Sequence, residues 1–181
     1  MKIHTEGTPN PNALKFVLDK TISPLKTYNF ANKESAKNSP LALKLFEINA
    51  VQEVFIGKDF VTISKGSGAN WDSIYEKILE VINEYFEIDQ PVILKDESSV
   101  SSDAGMSDIV KKIHEILDSK IRPAVASDGG DIIFDSYENG ILKLHLQGAC
   151  STCPSSIMTL KAGVESMLKR EIPELQEVIS V

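Results

Sequence analysis

The stretch "NGILKLHLQGACSTCPSS", residues 139–156, decides how the second half of this chain is read. Asn139-Gly140 is a two-residue turn pair that tolerates positive φ at both positions, so it predicts a β-hairpin. "ILKLHLQ" (141–147) then alternates apolar and polar, with Leu142, Leu144 and Leu146 inward and Lys143, His145 and Gln147 outward. The strand ends at Gly148. A helix is predicted to open at Pro154, because proline suits a first helical position whose N–H would be orphaned anyway. Between strand and helix lie the chain's two cysteines, Cys150 and Cys153.

Working outward, the strand before the turn is "IIFDSYE" (132–138), entered through the turn "DGGD" (128–131). Ahead of it, Ile109, Ile113, Ile116 and Leu117 recur on one face of a predicted helix over 107–120, which Arg122-Pro123 should end. After the cysteines, Ile157, Leu160, Val164, Met167 and Leu168 are predicted to face inward from a helix that Pro173 stops. "EVISV" (177–181) supplies a last strand. The order is α-β-β-α-β.

Upstream, "KDESSVSSDAGM" (95–106) holds four serines and three acids and keeps no period of 2 or 3.6, which is linker composition. It predicts three segments: a first domain over 1–94, a flexible Ser/acidic linker over 95–106 and a second domain over 107–181. In the first domain, "ALKFVL" (13–18) reads as a strand after the loop "TPNPN" (8–12). "SPLALKLFEIN" (39–49) reads as a helix with Ser39 as N-cap and Pro40 next. "VQEVFI" (51–56) and "FVTISK" (60–65) form a hairpin through Gly57-Lys58-Asp59. Trp71, Ile74, Tyr75, Ile78, Leu79, Ile82, Tyr85 and Phe86 recur at helical spacing and read as core. The predicted fold class is α+β: two small α+β domains with antiparallel or mixed sheets.

The bulk numbers narrow the function. The 181 residues are 42% hydrophobic and 25% charged, with net charge −7 and 7% aromatics. No basic stripe interleaves with aromatics, so nucleic acid is not an expected partner; Lys111-Lys112 and Lys169-Arg170 read as solvated helix faces. No apolar run approaches the roughly 18 residues of a membrane span. The start "MKIHTEGTPN" has no apolar or Arg/Ser-rich leader, so a cytoplasmic protein in a reducing compartment is expected. There a CxxC pair points to metal binding or redox chemistry more than to a structural disulfide.

Several uses of the pair stay open from the residues alone. Two cysteines can be small hydrophobes. They can form a thioredoxin-like redox pair, although the preceding strand belongs to a tight hairpin and not to a βαβ crossover. Zinc wants four ligands; His145 faces solvent, and His4 and His114 lie in other elements without partner spacing. An iron–sulfur cluster normally takes four thiolates, so two chains, each giving Cys150 and Cys153, would have to meet around it. At a helix start the orphan N–H groups of Ser155 and Ser156 favour thiolate, the form that both metal binding and redox chemistry need.

Other features read structurally. "KGSGANW" (65–71) lacks a third glycine and a Gly-Lys-Ser/Thr and is a turn. Asp128 and Asp131 flank a turn that needs positive φ at Gly129 or Gly130, which outweighs an acid–base pairing. Gly163 inside a helix is expected to allow close approach to the sheet.

"RPAVASDGGDIIF" (122–134) with "GACSTCPSSIMTLKAGVESMLKREIPEL" (148–175) resembles the NifU-like C-terminal domain, an iron–sulfur carrier module. "TPNPNALKF" (8–16), "SPLALKLF" (39–46) and the Trp71 helix are similar to the Nfu-type N-terminal domain. The resemblance covers nearly the whole chain. It implies a non-enzymatic scaffold or carrier that binds a [4Fe-4S] cluster between two subunits, with [2Fe-2S] also compatible, and delivers it to apo-proteins. Cys150 and Cys153 match the family's ligands. The implied partners are upstream cluster donors, apo iron–sulfur clients and a second copy of the chain in a cluster-dependent homodimer. The alternative is a thiol–disulfide oxidoreductase using the same two cysteines.

Overall fold

The computed structural model describes residues 2–88, 90–94, 107–151 and 154–181, with backbone alone for 154–156. The chain forms two compact units, Met1–Ser99 and Val100–Val181. The predicted linker, 95–106, lies outside the described residues.

In the first unit five strands make an antiparallel sheet in the order β1-β2-β5-β4-β3. They are β1 (Ile3–Gly7), β2 (Ala13–Leu18), β3 (Tyr28–Phe30), β4 (Val51–Ile56) and β5 (Phe60–Lys65). Cross-strand registry lines up Leu14–Ile63–Val54 and Phe16–Val61–Ile56 as two apolar rows. These rows join one core with α1 (Pro40–Leu45) and α2 (Trp71–Glu87). From α2 come Ile74, Ile78, Ile82 and Tyr85, all buried, while Trp71, Tyr75, Leu79 and Phe86 pack around them. The expected aromatic-rich stripe is therefore core.

Ser39 caps α1 as its sequence suggested: its hydroxyl accepts the Ala42 N–H and donates to the carbonyl of Val92. The helix is shorter than the predicted 39–49, ending at Leu45. Strands β1 and β3 were not legible beforehand. The hydropathy of β1, Ile-His-Thr-Glu-Gly, does not alternate although its exposure does, and β3 has three residues.

In the second unit the sheet order is β6-β7-β8: β6 (Gly130–Glu138) runs antiparallel to β7 (Ile141–Gly148), and β8 (Glu177–Ser180) runs parallel to β7. Asn139 (φ 51°) and Gly140 (φ 81°) both adopt the left-handed region that the hairpin required. Leu142, Leu144, Val164 and Leu168 sit in one core with Ile113, Ile116, Leu117 and Val125.

Two expectations fail here for physical reasons. Arg122-Pro123 does not end the first helix. Helix α3 (Asp108–Ile116) passes through a π turn (Leu117–Ile121) into α4 (Arg122–Ser127). A proline ring normally strikes the carbonyl four residues back. The wider π turn relieves that clash, and its closing bond runs from the Arg122 N–H to the Leu117 carbonyl. On α5 (Pro154–Glu171) Met167 is exposed rather than inward, because the sheet it covers has three strands and takes only the Leu160–Val164–Leu168 stripe.

Gly163 is the second correction on α5. A Cβ placed there would meet nothing within 4 Å, so approach to the sheet does not explain this glycine. Exposed mid-helix glycine costs about 1 kcal/mol against alanine. Gly163→Ala is accordingly expected to stabilise the second unit by about that amount, read as a raised urea midpoint.

Candidate functional site

The hairpin brings the "DGGD" turn and the cysteine loop together. In the β6–β7 register Gly130 lies opposite Gly148, and Asp131 opposite Gln147. Gly148 (φ 68°) turns the chain out of β7. Ser151 then closes the turn, its N–H and its hydroxyl both donating to the Gly148 carbonyl at 3.0 and 2.8 Å. The Ala149 N–H donates across to the Gly129 carbonyl at 3.2 Å. Cys150 therefore sits on a loop pinned at both sides, and it is 4% exposed within the unit's apolar core.

The two adjacent glycines do different work. Gly129 adopts φ 81°, which bends the chain into β6. Gly130 supplies room: a Cβ there would stand 2.9 Å from the Cys150 Sγ and 2.5 Å from the Gln147 carbonyl oxygen. The sulfur rests on a position that admits no side chain. Gly130→Ala should push rigid backbone as well as sulfur. The expected loss is about 1–3 kcal/mol, measured by urea unfolding, with Cys150 more reactive toward an alkylating reagent.

Beside this floor Asp131, 3% exposed, is held by a forked pair: Arg122 donates Nε to Oδ1 at 2.9 Å and Nη2 to Oδ2 at 2.7 Å. The same Oδ1 accepts the Ile132 N–H at 2.7 Å. A third guanidinium N–H goes to Asp118 at 3.0 Å. The Asp131 hydrogen bonds push the Arg122 pKa further above its already high value, against the opposing effect of burial. Asp131 is thus committed to an ion pair, in line with a structural reading of "DGGD". Arg122 was missed as a site neighbour. The sequence held no direct signal for it, because the burial of Asp131 that calls for a cation follows only from the fold.

The histidines do not converge with Cys150. His145 is exposed, with Nδ1 against the Val181 carbonyl at 2.8 Å and Nε2 at 3.2 Å from Asp135. The Ser136 hydroxyl, and then the His145 ring, hold the Asp135 carboxyl below its usual range. His4 faces Glu6 in the first unit, and His114 packs its ring on Phe134 at a 4.5 Å centroid distance. Cys153 lies outside the described residues. Among the described residues no group of three or more His, Cys, Asp or Glu side chains could hold a metal ion. Among them, too, no helix is long and apolar enough to cross a membrane.

Comparison with known proteins adds two domain matches. Residues 3–89 match the model described as "Scaffold protein Nfu/NifU N terminal", and residues 113–179 match the NifU-like domain. A relative from Drosophila ananassae, named "NFU1 iron-sulfur cluster scaffold homolog, mitochondrial", is 45% identical over 186 residues, covering 100% of this chain and 64% of the relative. The protein of that name from Drosophila willistoni is 44% identical over 184 residues, with the same two coverages. The chain thus spans less than two thirds of the length of these relatives. Among solved structures, the solution structure of a NifU-like protein from Saccharomyces cerevisiae aligns at 30% identity and a TM-score of 0.49. That alignment covers 53% of this chain and 87% of the other. The relatives' names overturn the expected cytoplasmic location, since both are called mitochondrial. That expectation rested on the first ten residues, and in a chain shorter than its relatives those residues are no guide to compartment.

Proposed function

We propose, for a chain that belongs to the Nfu/NifU family, that it is a non-enzymatic iron–sulfur cluster carrier. In this reading Cys150 and Cys153 of two copies hold one [4Fe-4S] cluster as cargo and release it to apo-proteins that present competing thiolates. The observation that carries it is the setting of the pair. Cys150 lies on a pinned turn directly after β7, and Cys153 immediately precedes Pro154, where α5 begins. The 18-residue helix α5 has at its start orphan N–H groups and the positive end of its macrodipole, a setting that favours anionic sulfur brought to it. Since a cubane normally takes four thiolates and one chain has two, the second copy completes the site.

Family membership, rather than the local fold, favours a carrier over an oxidoreductase. β7 is joined to β6 by a two-residue hairpin and is followed by α5 and the short parallel strand β8. β7–α5–β8 is thus a βαβ crossover, contrary to the expectation that the tight hairpin excluded one, and the local frame suits either use of a CxxC pair. The first unit contributes neither of the chain's cysteines; we assign it to recognition of donors or clients.

Iron and acid-labile sulfide analysis after anaerobic reconstitution separates the two readings, since a dithiol redox pair holds neither in stoichiometric amount. The same measurement on the halves tests the division of labour. Residues 107–181 should fold and take up iron and sulfide, and residues 1–94 should fold and take up none. A second half that stays unfolded with iron and sulfide supplied would overturn that division.

A further inference from the structure

The seat of Cys150 is a steric fit with no side chain under it. Its floor is Gly130, the residue type with the widest backbone freedom. Something else has to fix that floor. Immediately after it stands Asp131, whose carboxylate is gripped by both tines of the Arg122 fork and by the Ile132 N–H. A forked guanidinium–carboxylate pair fixes direction as well as distance. A half-buried pair of this kind, with Asp131 covered and Arg122 partly open to solvent, adds little net stability compared with apolar residues of the same size. Geometry is what it supplies.

The helix that delivers Arg122 is also built for this. The π turn Leu117–Ile121 directly precedes it and holds one residue more per turn than an α-helix, which rotates everything after it about the axis. Its first acid, Asp118, takes the third N–H of the same guanidinium. The turn that tolerates Pro123 is therefore also the turn that aims Arg122 at Asp131.

We propose that Arg122, acting through Asp131, is a positioning residue for the Cys150 thiol. The clamp holds the Gly130 floor, and so keeps the sulfur seated and covered until it swings out toward the cargo. Its functional meaning rests on the carrier reading above; its effect on the thiol is a property of the metal-free chain. Arg122 then sets how often Cys150 is available, and hence how fast cluster is taken up and given back.

The test uses the iron-free chain of 181 residues carrying Cys153→Ser, so that one thiol reports. Its labelling by a disulfide reagent is followed without denaturant and in rising urea. Arg122→Lys keeps the charge but loses the fork, and Asp131→Asn keeps the shape but loses the charge. In both, labelling should accelerate about tenfold, the equivalent of one charge-assisted hydrogen bond. It should exceed the rate that each variant's global unfolding equilibrium allows, with weak dependence on urea. Should a single variant fail to fold, the paired Arg122→Met/Asp131→Leu removes the clamp without stranding a buried charge, and the same acceleration is expected. Unchanged labelling, or acceleration that merely follows global unfolding, overturns the positioning role. A second arm keeps both cysteines and measures iron and sulfide uptake. Wild-type protein that takes up cluster while the variants label normally defeats the positioning role alone. Wild-type protein that takes up none defeats the carrier reading and with it the functional half of the proposal, whatever the labelling shows.

Discussion

Replacing either cysteine with serine is expected to abolish cluster retention: Cys153→Ser and Cys150→Ser should each lose most of the visible absorption that wild-type protein gains on anaerobic reconstitution. The arithmetic of ligands gives the size of the effect. Two wild-type chains offer four thiolates, and two mutant chains offer two, half of what either common cluster needs. A serine hydroxyl does not replace a thiolate, being a hard ligand that stays protonated near neutral pH. The two positions call for different controls. Cys150 is buried in an apolar core, so a serine hydroxyl there carries a desolvation cost of about 1–3 kcal/mol. Cys150→Ala, which leaves no polar group behind, separates loss of the ligand from loss of the fold. Unchanged far-ultraviolet dichroism with absent iron is the expected pair of results. A single mutant holding wild-type iron and sulfide would sink the ligand assignment.

The elements legible in the sequence were those with a strong local signal. Asn139-Gly140 left one kind of turn open, and strict alternation over 141–147 then fixed which leucines face the core. The helix start at Pro154 and the cap at Ser39 were likewise local. What escaped depended on partners distant in sequence. β1 is a strand because β2 pairs with it, not because its own residues alternate. Pro123 looked like a terminator because the clash rule assumes an α-helical carbonyl four residues back, and the π turn removes that premise. The "DGGD" turn was legible as backbone chemistry. That one of its glycines lies under a sulfur followed only when β6 and β7 were set in register. Gly163 shows the opposite error: a glycine in a helix invites a packing explanation, and here the space beside it is empty.

Cluster loading and dimerisation should be one linked equilibrium, and dilution should separate both together. If four sulfurs at two per chain surround one cluster, each loaded unit contains two chains, and every loss of cluster removes the ligand that joins them. The contact must centre on the two cysteine loops, because all four sulfurs reach one inorganic core. The start of α5 from each chain then lies beside that core, where its peptide N–H groups oppose the anionic charge of the thiolate-bound cluster. A seam limited to two loops would be weak without its cluster, since stable protein interfaces bury about 1,200–2,000 Å². Anaerobic native mass spectrometry is expected to show apo monomer and loaded dimer at micromolar concentration, with apo monomer growing at the expense of loaded dimer on tenfold dilution. Adding an apo client with a vacant cysteine site should shift the balance the same way at constant protein concentration, since competing thiolates displace one chain and then the other. The burial of Cys150 sharpens the kinetic side. A sulfur seated on Gly130 has to leave that seat to be shared, so loading should be slower than the encounter of two chains and should saturate with protein concentration. A loaded monomer carrying a complete cubane, with no small thiol bound, would overturn the shared site; a loading rate that rises without limit with concentration would overturn the seated sulfur as the step that precedes sharing.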